Sequence, residues 1–343
     1  MNKADYSYQA KAITSLLGMI ERKPQKATLL AAATGSGKSY MAKDFILRYL
    51  EKYPNNNVVF FAHGQNVLKL QFMEILEETI SDEFDYGFLG EGKQVSVGLP
   101  FYFNNNSVEK IDLLIVDEAH EYFNATMEQD IIKKYNPEHV LLLTGSPGIF
   151  NKDRDVKCVY ISGEEMLDMD VYNSVDLDLA RTDSLSVQDG IHSALDVLKS
   201  KGDNLDKIMV VCKSQMQAKI AKGIFGRLGK DVALSVSDSD SDSSEIVRFK
   251  NQASCNVLIV VNRGILGLNC KEMTSVIDLK GSFNIDIVNQ YFSRLLRQHP
   301  QGLMKFFVRV SNTKNWNRNV QLLHDIKGLM NKSILKNYTG GKL

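Results

Sequence analysis

At 343 residues, 44% hydrophobic and 24% charged, the chain is long enough for two ordinary domains with real cores and too apolar for a disordered one. MNKADYSYQAK at the N-terminus contains no apolar leader, no run is long enough to span a bilayer, and Cys158, Cys212, Cys255 and Cys270 lie far apart without a CxxC pair. An intracellular, cytoplasmic protein with free, mostly buried thiols is therefore expected, with no membrane association, zinc site or disulfide framework. The zero net charge hides an asymmetry: residues 1–170 carry 17 Lys/Arg against 25 Asp/Glu (−8), and residues 171–343 carry 24 against 16 (+8). A basic half suits a polyanionic partner, although two differently charged, solvated surfaces would give the same count.

Short apolar runs alternate with longer helical patterns, which predicts parallel sheets covered by helices. ATLLAAA (27–33) is the first strand, and AATGSGKS (32–39) leads from it into the helical pattern YMAKDFILRYL. A glycine-rich turn between strand and helix lets backbone N–H groups close around phosphate oxygens, with the positive helix terminus behind them. Thr34, Gly35, Ser36, Gly37, Lys38 and Ser39 are the candidate nucleotide-binding set, Lys38 reaching the β and γ phosphates and Ser39 offering a hydroxyl to Mg²⁺; Ala32 stands where the usual pattern has its first Gly. NVVFFA (57–62), VSVG (95–98), IDLLIV (111–116) and HVLLL (139–143) complete the first half. LLIVDEAH (113–120) ends its strand in two adjacent carboxylates: Asp117 can hold the Mg²⁺ hydration shell and Glu118 can accept a proton from an attacking water.

Residues 162–190 dilute the pattern and are expected to join two α/β domains. KIMVVC (207–212), DVALSV (231–236), NVLIVV (256–261), SVIDL (275–279) and MKFFVRV (304–310) then repeat the scheme, with SDSDSDSS (237–244) as a solvated loop. NQYFSRLLRQ (289–298), laid out at 100° per residue, puts Gln290, Arg294 and Arg297 on one stripe and Val288, Tyr291, Phe292, Leu295 and Leu296 on the other side. A surface salt-bridge helix would be the plain reading of that stripe. The segment 318–336, with Leu322, Ile326, Leu329, Met330 and Ile334, is expected to be a helix docked on the second domain.

These motifs, in this order, resemble a superfamily 2 helicase core over nearly the whole chain, closest to the group containing restriction-enzyme motor subunits, RecG and phage UvsW-type branch-remodelling helicases. The resemblance implies two tandem RecA-like domains, 1–165 and 180–343, with ATP and Mg²⁺ in a cleft between them. YSYQAKAI (6–13) is similar to the family element whose Gln, here Gln9, reads adenine. LLLTGSP (141–147) resembles the coupling motif, which implies coupling roles for Thr144 and Ser146, with His120 of the DEAH tetrapeptide beside them. QYFSRLLR fits Q-x-x-G-R-x-x-R with Ser293 in the Gly place, which implies that Gln290, Arg294 and Arg297 face the nucleotide and that the two arginines neutralise transition-state charge. FFAHGQNVLKLQ, VVCKS and VVNRGILGLNC match nucleic-acid-contact motifs, implying Gln65, Lys213, Ser214 and Arg263 as backbone contacts, and the resemblance adds Gly98 at the end of VSVG. Gly267 and Asn269 are implied at the nucleotide sugar, with Asn269 where many members carry Asp. The implied activity is ATP-dependent unwinding or translocation, with DNA favoured over RNA, by a monomer recruited by a replication or repair protein; an RNA helicase or an ATP-switched clamp are the alternatives.

Overall fold

The computed structural model describes residues 6–22, 27–33, 35–62, 66–78, 84–100, 110–119, 126–145, 156–169, 171–184, 186–203, 205–236, 244–261, 268 and 270–330. They fall into two compact units, Asp5–Glu165 and Met166–Leu335.

Continuous apolar runs make the strands of the first unit, because a parallel strand covered on both faces has no solvent side to alternate toward. In chain order its elements are α1 (Ser7–Arg22), β1 (Ala27–Ala32), α2 (Lys38–Lys52), β2 (Val58–Phe61), α3 (Asn66–Glu77), β3 (Tyr86–Phe88), β4 (Val95–Gly98), β5 (Leu113–Val116), α4 (Thr126–Tyr135), β6 (His139–Thr144) and β7 (Val156–Ile161). The seven strands pair in the order β3-β4-β2-β5-β6-β1-β7, all parallel. Leu29, Ala31, Phe61, Leu114, Val116 and Leu142 form a core layer on one face. The inner side of α2 contributes Met41, Phe45, Ile46, Tyr49 and Leu50, all buried. Each such side chain stabilises the fold by about 1.5–3 kcal/mol through the apolar surface it removes from water.

α5 (Gly163–Asp168) lies where the two units meet in sequence. The second unit continues with β8 (Val175–Arg181), α6 (Val187–Ser200), β9 (Ile208–Val211), α7 (Gln215–Arg227), β10 (Asp231–Ser235), α8 (Ser244–Asn251), β11 (Cys255–Val260), β12 (Ser275–Asp278), α9 (Ile285–Phe292), β13 (Lys305–Ser311) and α10 (Trp316–Met330). Its six strands run β10-β11-β9-β12-β13-β8, again all parallel. Fold class agrees with the sequence reading, and the two units part at Glu165/Met166, inside the window expected to join them, but that window is not merely a linker. Residues 162–190 hold a full edge strand, β8, whose register with β13 runs from Val175↔Lys305 to Arg181↔Ser311. Asp176 and Asp178 disguise it; on a half-solvated edge they take a shared partner in Lys201, at 2.7 and 3.0 Å. Edge strands β3 and β7 also lie outside the predicted set.

Three of the four cysteines are buried, Cys158 is half-buried and all are free. Burial pushes Cys158 and Cys270 up to about 11 and Cys212 up to about 12, which makes them inert as thiolates near neutrality. Among the described residues no helix is long and apolar enough to cross a membrane.

Candidate active site

The order β5-β6-β1 brings three chain ends to one edge of the first sheet, the carboxyl edge where open parallel sheets bind ligands. Ala31 is in register with Thr144, and Val116 with Leu142. The glycine-rich turn, Asp117 and Thr144 therefore leave the sheet side by side. Gly35 and Gly37 have φ of 89° and 85°, values that side-chain-bearing residues rarely adopt. Gly37 is the N-cap of α2, so the helix starts with its unsatisfied N–H groups directed into the turn. Lys38 is buried and folds back so that Nζ donates to the Ala32 carbonyl at 3.0 Å. The buried hydroxyl of Ser36 has no hydrogen-bond partner among the described residues.

α1 braces this loop. Tyr8 donates its hydroxyl to the Ser36 carbonyl at 2.5 Å, and Gln9 Nε2 donates to the same oxygen at 3.2 Å and to the Tyr8 oxygen at 3.2 Å. A Cβ on Gly37 would run into the Gln9 amide. Burial pushes the Tyr8 phenol up to about 12, which keeps it a neutral donor. Tyr8 is absent from the sequence-derived set; its place beside Gln9 in YSYQ was the available signal.

At the end of β5, Asp117 is buried, its N–H donates to the Phe61 carbonyl at 2.9 Å, and its Oδ1 accepts from the Glu118 N–H at 3.0 Å. Glu118 has φ of 46°, a left-handed conformation that costs a non-glycine residue roughly 1–2 kcal/mol. Such strain concentrates at functional sites, where it aims a side chain. No group of three or more His, Cys, Asp and Glu converges among the described residues, so a metal cage made wholly of protein is not offered there. One serine hydroxyl and one carboxylate, Ser39 and Asp117, fit Mg²⁺, which keeps its waters and takes its other ligands from substrate phosphates.

In the second unit the single helical stripe is not formed. α9 stops at Phe292, residues 293–295 make a 3₁₀ turn, and Arg297 lies in an isolated antiparallel bridge with Tyr172. The cause is packing: Tyr291, Phe292, Leu295 and Leu296 are all buried, and tightening the last turn seats them together. Arg294 stays beside Gln290, its Nε donating to the Gln290 carbonyl at 3.1 Å. Arg297 donates instead to the Leu268 carbonyl at 2.8 Å, and desolvation lowers its pKa from the usual guanidinium value.

Two implied nucleic-acid residues have local structural work. Ser214 caps α7 by accepting from the Gln217 N–H at 3.2 Å, while Gln217 Oε1 accepts from the Lys213 N–H at 2.6 Å. Gly98 is buried at the end of β4, and a Cβ there would come within 2.7 Å of Leu89 Cβ. Lys213 is exposed. Thr34, Gln65, His120, Ser146, Arg263, Gly267 and Asn269 lie outside the described residues.

Residues 2–149 match the family described as "Type III restriction enzyme, res subunit". No curated protein sequence matches the chain. Among solved structures it is similar to S. cerevisiae Dbp5 bound to RNA and ADP BeF3 (15% identity, 94% of this chain and 87% of that one, TM-score 0.68). It is also similar to a fragment of a type I restriction enzyme HsdR subunit from Vibrio vulnificus (15% identity, 90% and 64%, TM-score 0.70). A third is the helicase MrfA bound to DNA (14% identity, 94% and 51%, TM-score 0.69). The family match is confined to the first unit, and over nearly the whole chain what is shared with these helicase structures is the fold of two parallel-sheet units.

Proposed function

We propose that the protein is an ATP-dependent nucleic-acid helicase or translocase acting on DNA, driven by ATP-dependent opening and closing of its two RecA-like units. The observation that carries this reading is the cradle of Gly35, Gly37, Lys38 and Ser39 beside the end of β5, where Asp117 is followed by the strained Glu118. In this reading Lys38 leaves the Ala32 carbonyl for the β and γ phosphates, and Glu118 takes the proton of the attacking water. Ser39 and Asp117 would hold Mg²⁺, which when bound would supply positive charge against the phosphates. Gln9 reads adenine from its perch on the loop. Gln290, Arg294 and Arg297 stabilise the transition state, Arg297 after exchanging its Leu268 partner. Thr144, Ser146 and His120 couple the two events. DNA is favoured over RNA because the matched family is a restriction-enzyme subunit and because the motif set is closest to branch-remodelling enzymes.

Steady-state ATPase without nucleic acid and with single-stranded, duplex and branched DNA or RNA, at two salt concentrations, tests the reading, with Lys38→Ala as control. Stimulation greatest with DNA, weakening as salt rises because neutralised phosphates release counterions, supports it. Stimulation by RNA alone replaces DNA with RNA as substrate. Absence of stimulation by every polymer, or undiminished turnover in Lys38→Ala, overturns it.

A further inference from the structure

Arg309 is the largest fully buried side chain among the described residues, and its ion-pair partner Asp278 is equally enclosed. Taking two ions out of water costs several kcal/mol each, so well-packed apolar residues would serve stability as well or better. What the pair provides is a fixed geometry, because its donors and acceptors are divided among separate elements. Asp278 Oδ1 accepts the N–H groups of Lys280 at 3.0 Å and Gly281 at 3.3 Å, in the turn that follows β12. Asp278 Oδ2 accepts from Arg309 Nη1 and from the Tyr291 hydroxyl at 2.9 Å, on the inner face of α9. Arg309 Nη2 donates to the Ser282 carbonyl at 2.7 Å, and its Nε donates to Asn319 Oδ1 at 2.7 Å, on α10. Phe283 completes the arrangement, with the Arg309 guanidinium 5.3 Å and that of Arg318 3.8 Å from its ring centre.

One carboxylate thus sets both the path of the turn 280–284 and the rotation of α9 about its axis. The turn stands at the carboxyl edge of the second sheet on β12, the strand next to β9, which leads to exposed Lys213, and it carries Lys280 and Phe283. α9 begins directly after the turn and carries Gln290, whose carbonyl holds Arg294. Resting on the function proposed above, the geometry points to Asp278, Arg309 and Tyr291 as positioning residues that transmit nucleic-acid contact at the turn 280–284 to the arginine-bearing end of α9. The three side chains do not touch ATP or nucleic acid. They make the helix follow the turn.

Tyr291→Phe tests this, since it removes only the hydroxyl and keeps the ring stacked on Phe307 at 6.0 Å. Asp278→Asn is the second variant, and Lys280→Ala the contact control. In Tyr291→Phe the ATPase rate without nucleic acid stays within about twofold of wild type, while stimulation at saturating nucleic acid falls roughly 5- to 150-fold, the ordinary span of coupling between sites. The half-saturating nucleic-acid concentration stays unchanged in Tyr291→Phe and rises in Lys280→Ala, a split that a merely structural role would not produce. Wild-type stimulation in Tyr291→Phe and Asp278→Asn, or equal loss of basal and stimulated rates in a variant with native melting, overturns the inference and leaves the functional reading standing. A wild-type enzyme that no nucleic acid stimulates overturns the functional reading itself.

Discussion

Lys305 opens β13 with its side chain fully enclosed, Nζ donating to the Lys271 carbonyl at 2.9 Å. Burial, reinforced by the neighbouring Arg297 charge and only partly offset by Cys270 and Glu272, lowers its pKa from 10.5 to about 8. That difference corresponds to roughly 3 kcal/mol spent in keeping the ammonium charged inside the fold, at about 1.36 kcal/mol per pKa unit. Replacing it by Met removes this cost and loses one hydrogen bond worth about 1 kcal/mol net. The expected gain at neutral pH is therefore on the order of 1–2 kcal/mol, or a few degrees in melting temperature for a unit of this size. The pH dependence carries the sign. Between about 8 and 10.5 the unfolded chain holds a proton that the folded one has released, so wild-type stability rises with pH across that window and is lost as pH falls through 8. Lys305→Met lacks the rise, and its advantage shrinks as pH climbs. Urea unfolding followed by fluorescence of Trp316, the single tryptophan, reports on the second unit directly. A variant less stable than wild type at neutral pH, or a gap that stays constant with pH, would refute the reasoning.

Glu118→Gln is expected to keep nucleotide binding and to slow hydrolysis about 10²- to 10⁴-fold, because it removes the base and preserves shape; binding by fluorescent nucleotide beside single-turnover hydrolysis separates the two, and lost binding would make Glu118 structural. Arg297→Ala should lower turnover by about 10³ to 10⁵ if the guanidinium reaches the transition state; unchanged turnover with a lowered melting temperature would assign it to the Leu268 contact alone. His139, buried edge-on against the Tyr49 ring at 5.9 Å, has its pKa lowered by desolvation, with Glu138 and Asp112 opposing. The unfolded chain then takes the extra proton, so this contribution is present above about pH 6.5, the ordinary imidazole value, and is lost as pH falls from there through the folded value. Melting of His139→Gln should fall less than wild type on acidification, and parallel curves would exclude the residue.

Both sheets were legible because their central strands are buried on two faces and so read as unbroken apolar runs such as VVFF, LLIV and IMVV. β8 was not, since an edge strand tolerates Asp on its solvent side and VDLDLAR reads as dilution. The phosphate loop could be read from glycine spacing because backbone conformation there is dictated by residue type, and both glycines do take positive φ. The arginine stripe could not be read correctly. A 100° step presumes a continuous helix, and it is the tertiary packing of Phe292, Leu295 and Leu296 that ends this one early. The Asp278–Arg309 pair was equally hidden, because 31 positions separate two residues whose meeting depends on strand order.

The Gln9 amide resting against Gly37 couples two positions that lie far apart in the chain. Gly37→Ala faces the left-handed backbone and the amide together, whereas in a chain that already carries Gln9→Ser only the backbone objection remains. The two changes are therefore non-additive in folding energy, but modestly so: the amide is the free end of a flexible side chain and can turn aside, and the left-handed backbone is the larger reason for glycine at 37.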